Sequence, residues 1–128
     1  MDSLKFDFGT PNGVASSPDG SRLFVGDIST NMLYSSEIRN GKAGPLELLV
    51  DLEKLDLAGP DGMAVAEDGR IFLALFRSGG LLVLEPDGGP IGFLPTGPLS
   101  TNCIFASDGK TLYITADRKL KRIVVPDL

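Results

Sequence analysis

Short apolar or alternating segments recur from one end of the chain to the other, and polar turns cut them apart before any helical period can build. The turns read Pro18-Asp19-Gly20, Glu67-Asp68-Gly69, Pro86-Asp87-Gly88 and Ser107-Asp108-Gly109. This is hairpin chemistry, because glycine reaches positive φ without a steric cost. Between the turns the pattern predicts strands over 14–17, 23–27, 32–38 and 46–52, then 63–66, 71–76, 81–85 and 91–95. Three more follow at 103–106, 112–116 and 120–125. Ahead of them all, Leu4, Phe6 and Phe8 alternate with Lys5 and Asp7 as one orphan strand. The 16 glycines and 9 prolines leave no room for a long helix. The nearest approach, 52–57, reads as a loop or a single turn.

The segments are organised by a repeat. Asn12-Gly13-Val14-Ala15, Asp61-Gly62-Met63-Ala64 and Asn102-Cys103-Ile104-Phe105 each lead to an Asp-Gly turn and then to an apolar run. The leading residues, 12, 61 and 102, are 49 and 41 residues apart, the length of a four-stranded propeller blade. The expected fold is therefore all-β: half a β-propeller of three four-stranded blades, about 12–52, 61–95 and 102–125, forming one unit over 1–128. Three blades cannot close a ring, since propellers use roughly four to eight. Two uncovered blade faces would be large apolar patches, so the chain is expected to complete a six-bladed ring as a homodimer. The orphan strand 4–8 would then fill the place that the third blade leaves empty in the partner.

Composition narrows the chemistry. The net charge of −5 argues against nucleic acid, which needs a positive face to displace counterions. There is no histidine, so one chain supplies no Ser-His-Asp triad, no Cys-His pair and no histidine-based zinc site. Cys103 is the one cysteine and reads as a small buried hydrophobe. No apolar run approaches the roughly 20 residues of a membrane-spanning helix. The first residues do not resemble a signal peptide, so a cytoplasmic setting is expected.

Pro11-Asn12-Gly13 with the following Ser-Pro-Asp-Gly, Gly59-Pro60-Asp61-Gly62-Met63, and Ser100-Thr101-Asn102-Cys103 resemble, in that order, the senescence marker protein/gluconolactonase/regucalcin family. The stretch from Ala74 to Phe93 is similar to the drug-responsive bacterial lactonases of the same superfamily. The resemblance implies six-bladed propellers with a divalent cation in the channel, many of them hydrolysing sugar lactones. It makes Asn12 a metal ligand through its side-chain oxygen, and Asp61 both a metal ligand and the catalytic base. Calcium is the cation expected first, with magnesium, manganese or zinc as alternatives. The family's length is about twice that of this chain, and its early blades supply a glutamate ligand that has no counterpart here. What remains resembles the C-terminal three blades.

Each assignment has a plainer competitor. Asn-Gly and Asp-Gly are common tight turns, so Asn12 and Asp61 could be turn residues alone, although each repeat already has its turn further on. Asn102 is a candidate substrate contact or a hydrogen-bonding link to the neighbouring blade. Arg77 is a candidate substrate contact or a solvated loop charge. Two functions follow: a metal-dependent lactonase acting on a sugar lactone or related ester, or a non-catalytic binding or structural module derived from one.

Overall fold

The computed structural model describes residues 1–4 and 9–127. Twelve strands run through them: β1 (Pro11–Ser16), β2 (Arg22–Asp27), β3 (Met32–Arg39), β4 (Lys42–Ala43), β5 (Glu47–Asp51), β6 (Pro60–Val65), β7 (Ile71–Leu75), β8 (Gly80–Leu84), β9 (Pro90–Pro95), β10 (Asn102–Phe105), β11 (Thr111–Ala116) and β12 (Lys119–Val124). A single 3₁₀ turn, Leu52–Leu55, is the only helical element among the described residues, where a loop or one turn was expected. Among the described residues no helix is long and apolar enough to cross a membrane.

The strands form three antiparallel sheets in chain order. The first runs β1–β2–β3, with β5 and the two-residue β4 both paired to β3. The second runs β6–β7–β8–β9, and the third β10–β11–β12. Among the described residues the third sheet therefore has three strands, where the first two blades have four or more. The strand-like segment at 4–8 lies outside the described residues, apart from Leu4. Strand β4 was not anticipated, because its two residues add no periodic signal to the Asn40-Gly41 turn before it.

The hairpin turns share one device. In each, the aspartate carboxylate accepts the N–H two residues on: Asp19 from Ser21 (3.0 Å), Asp68 from Arg70 (3.1 Å), Asp87 from Gly89 (2.9 Å) and Asp108 from Lys110 (2.8 Å). The turn glycines Gly20, Gly69, Gly88 and Gly109 have φ between 68 and 91°. Hydrogen bonds from Ser21 and Ser17 hold the Asp19 carboxyl down at about 2, and bonds from Thr111 and Lys110 do the same for Asp108.

The core lies between the sheets in two layers. Phe24, Leu33, Val50 and Leu52 of blade one meet Met63, Ile71, Leu73, Leu75, Leu82 and Leu84 of blade two. On its other face blade two presents Phe72, Ala74 and Leu81 to Cys103, Leu112, Ile114 and Ala116 of blade three. Strand β7 is buried on both faces, which explains its unbroken apolar sequence. Strands β2 and β11 alternate between buried and partly exposed residues, because one face of each has no neighbour among the described residues.

Candidate functional site at the inner strand starts

The three inner strands, β1, β6 and β10, meet one another at their starts. Asn12 donates from Nδ2 to the Pro60 carbonyl at 3.4 Å. A Cβ on Gly13 would lie 1.9 Å from the Asp61 carbonyl oxygen, so only glycine lets the two backbones approach. Gly62 repeats the arrangement towards blade three. Its N–H donates to the Thr101 carbonyl at 2.8 Å, and a Cβ on it would fall 2.0 Å from Asn102 Oδ1. The repeat therefore brings Asn12, Asp61 and Asn102 side by side at one hub.

The three positions are not equivalent. On β1, Pro11 pairs with Asp27 and Val14 with Val25; on β6, Pro60 pairs with Leu75 and Met63 with Leu73. Both β1 and β6 thus carry one extra residue, a bulge that bends the strand and re-aims the side chains around Asn12 and Asp61. Strand β10 has no bulge: Asn102 pairs with Thr115 and Cys103 with Ile114. In strand register Asn102 occupies the place of Gly13 and Gly62, and Thr101 the place of Asn12 and Asp61. Asn102 Oδ1 accepts the N–H of Cys103 at 2.9 Å and rests over Gly62. The shared polar opener hid this one-residue offset in the sequence.

Burial raises the Asp61 carboxyl above its usual range, while the Gly62 N–H and the Asn12 side chain offset part of that rise. A carboxylate and an amide oxygen side by side are hard donors of the kind calcium and magnesium take. Among the described residues no group of three or more His, Cys, Asp or Glu side chains could hold a metal ion. The donor set suits a hard divalent cation but supplies only two side chains of the six to eight oxygens calcium requires.

The segment leading into Asp61 is clamped from both sides. Asn31, at φ 60°, donates to the Leu57 carbonyl at 2.7 Å and accepts the Gly59 N–H at 3.0 Å. From the other side the Phe76 N–H donates to Gly59 O at 2.7 Å, and Ser78 Oγ accepts the Ala58 N–H at 2.8 Å. Arg77 lies in this second clamp, exposed, with its backbone and stem against Gly59. It therefore sits at the end of blade two from which the Asp61 strand sets out. Asn31 was not singled out from the sequence; an Asn in the Ser29-Thr30-Asn31 turn gives only a left-handed-turn signal.

A groove of about 590 Å³ runs across the inner strands, lined by Val14, Met63, Asn102, Ile104, Tyr113 and Leu120 among others. Asn12 and Asp61 are not among its lining residues. A second depression, on the outer edge of blade one, lies among Arg22, Ser35, Glu37 and Lys42, away from the hub. Cys103 is buried, its thiol donating to the Phe72 carbonyl at 3.4 Å, and burial pushes its pKa up to about 12. It packs as a small hydrophobe and supplies no thiolate at neutral pH.

Radial sheets with oxygen-bearing side chains gathered at the inner strands define part of a propeller with a polar hub. The chain belongs to the SMP-30/Gluconolactonase/LRE-like family, whose profile matches residues 1–118. It is 34% identical to a gluconolactonase of Zymomonas mobilis over 96% of its own length and 37% of that protein's. It is 32% identical to a 6-deoxy-6-sulfogluconolactonase of Pseudomonas putida, covering 84% of this chain and 38% of the relative. Among solved structures it resembles a calcium-binding regucalcin of Agrobacterium tumefaciens, with TM-score 0.77 and 26% identity, over 88% of this chain and 40% of that one. A gluconolactonase of Xanthomonas campestris gives TM-score 0.77 at 25% identity, over 94% of this chain and 39% of that one. The chain spans about two fifths of the length of the relatives it matches.

Proposed function

We propose that this chain carries the Asn–Asp half of a lactonase centre and that, in a closed ring, it hydrolyses a sugar lactone or a related cyclic ester. The observation that carries the reading is the placement of Asn12 beside Asp61 on bulged inner strands, in a family whose matched relatives include two named as gluconolactonases. Asn12 and Asp61 would hold a divalent cation, calcium first by donor type, and the cation would polarise the substrate carbonyl. Asp61 takes the proton of the attacking water; its raised pKa makes it a better acceptor than an ordinary carboxylate. The water oxygen bonds to the carbonyl carbon, the ring C–O bond breaks, and the proton passes to the leaving alkoxide to give the open hydroxy acid. Asn102, in the groove, and Arg77, beside the Asp61 strand, are the substrate contacts of this reading.

The alternative, a non-catalytic module, is favoured by one observation: no third acidic ligand stands at the hub among the described residues. A lactone assay with calcium or chelator separates the two. Asp61→Ala should lower calcium-dependent turnover at least ~100-fold, the usual scale for a lost general base. Its circular dichroism should be unchanged, and calcium should no longer raise its melting temperature. Full turnover in Asp61→Ala would reject the assignment, and no turnover in the parent chain under any cation would favour the module.

A further inference from the structure

The turn between β2 and β3 holds the approaches to both bulged inner strands. At its start the Asp27 carboxylate accepts the N–H groups of Gly9 and Thr10, directly ahead of β1, at 2.8 and 2.9 Å. The same carboxylate takes the Ser29 N–H at 3.0 Å and the Ser29 hydroxyl at 2.9 Å, which ties the approach to Asn12 to this turn. At the end of the turn stands Asn31, half-buried, in the left-handed region at φ 60°. Its own carbonyl accepts the Leu52 N–H at 3.1 Å, while its side chain reaches residues 57–59, the approach to Asp61. That approach belongs to no strand, yet each of its backbone N–H and C=O groups is paired. The Leu57 N–H stays local, on the Leu52 carbonyl at 3.1 Å. Phe76 and Ser78, between β7 and β8, take the Gly59 carbonyl and both groups of Ala58. The Leu57 carbonyl and the Gly59 N–H remain, and both go to the side-chain amide of Asn31, at 2.7 and 3.0 Å.

We propose that Asn31 is the positioning residue of the hub: with Asp27 it makes the β2–β3 turn the brace that sets Asn12 and Asp61 at a fixed separation, so that both can reach a single cation. The cation clause rests on the function proposed above; the placement of Asp61 does not. Chemistry selects asparagine at this position. One primary amide offers a donor to the Leu57 carbonyl and an acceptor to the Gly59 N–H, where an aspartate would set a second acceptor against that carbonyl. Asparagine also enters the left-handed region more readily than most residues that carry a side chain. Blade one touches the Asp61 approach in two places, through Asn31 and through the bond from Asn12 to the Pro60 carbonyl at 3.4 Å. The Asn12 contact is long and weak, so the shorter pair from Asn31 fixes the separation. Pro60 is fully buried with its side chain against Gly26 of β2, and its locked φ passes the placement on to Asp61. An outer residue of this kind touches neither metal nor substrate, yet its loss typically costs about 10–100-fold in metal affinity.

Asn31→Gly tests the brace without strain, because glycine keeps the positive φ and loses only the side chain. Asn40→Gly is the control, the same change at another left-handed asparagine (φ 52°), between β3 and β4 and away from the hub. Two readouts are taken on the full 128-residue chain. The first is native-state hydrogen exchange of the Gly62 N–H, which follows Asp61 and donates to Thr101. In Asn31→Gly it should exchange at least ~10-fold faster relative to the β8 amides, and in Asn40→Gly at the parent ratio. The second is calcium alone, titrated against the amide shifts of Asp61 and Gly62. It should bind at least ~10-fold more weakly to Asn31→Gly, and equally to the parent and Asn40→Gly. A residue that only stabilises the fold would move Gly62 and β8 together and leave the calcium affinity of the folded chain unchanged. A Gly62 ratio that stays at the parent value overturns the proposal, as does equal calcium binding with and without the Asn31 side chain. A parent chain whose shifts ignore calcium rejects the metal reading of the function, and the Gly62 ratio then decides the placement of Asp61 by itself.

Discussion

Asp27 shows how one buried carboxylate fixes the approach to the hub. It is fully buried and accepts the N–H groups of Gly9 (2.8 Å), Thr10 (2.9 Å) and Ser29 (3.0 Å), with the Ser29 hydroxyl at 2.9 Å. Burial alone would raise its pKa, but the bonds from Thr10, Gly9, Ser29 and Thr30 outweigh it, and the group is held well below the usual carboxylate range. A depressed folded-state pKa stabilises the protein above the unfolded value, about 3.9, and that contribution is lost as pH falls through the folded value. Asp27→Asn should therefore cost about 1–3 kcal/mol at pH 7 in urea unfolding, with the gap from the parent narrowing below about pH 4. An equal gap at pH 3 and pH 7 would contradict the ionised clamp. The sequence marks Asp27 as an acid that closes a strand and caps the turn after it, as its bonds from Ser29 show. Its other partners come from residues 17 and 18 positions earlier, so no local pattern reveals them.

At the scale of the strand, the bulges and the glycines next to them explain why two of three similar repeats place their openers alike. The extra residue on β1 and β6 makes room for a backbone-on-backbone contact that any side chain would break. Gly13→Ala should destabilise the fold by about 3 kcal/mol, because the obstructing atom is the Asp61 carbonyl and cannot swing away. The cost is read from urea melts, and a change under 1 kcal/mol would mean that the blade junction yields more easily than its geometry implies. Gly20→Ala is the useful comparison: open space surrounds that glycine, so its cost is only the positive φ, about 1 kcal/mol. The strands themselves were legible, since turn chemistry and alternation mark their centres. Their starts were not. β1 begins at Pro11 and β6 at Pro60, so the openers lie inside strands and not ahead of them, which a proline at each start disguises.

Across the whole molecule, stability should grade outward from blade two. Its strands are packed on both faces, whereas blades one and three each have one face without a neighbour among the described residues. Native-state hydrogen exchange should protect β7 and β8 most strongly, and β4 and β12 least. Uniform protection across the three blades would show instead that the sheets open only together. The backbone of β12 is the sheet edge of blade three among the described residues, and its Lys119, Lys121 and Arg122 are the kind of charges that discourage random strand addition.

The sequence by itself determined the strands, their turns, the blade period and the gathering of polar openers, because all of these follow from local periodicity, glycine placement and a repeat visible in one dimension. Tertiary structure alone decided that Asn102 sits one register position away from Asn12 and Asp61. It also decided that Asn31 clamps the segment before Asp61, and that Arg22 and Arg70 span the blade rims. Those are contacts between residues far apart in the chain, fixed by a bulge or by the packing of one sheet on the next, and no spacing along a single strand encodes them.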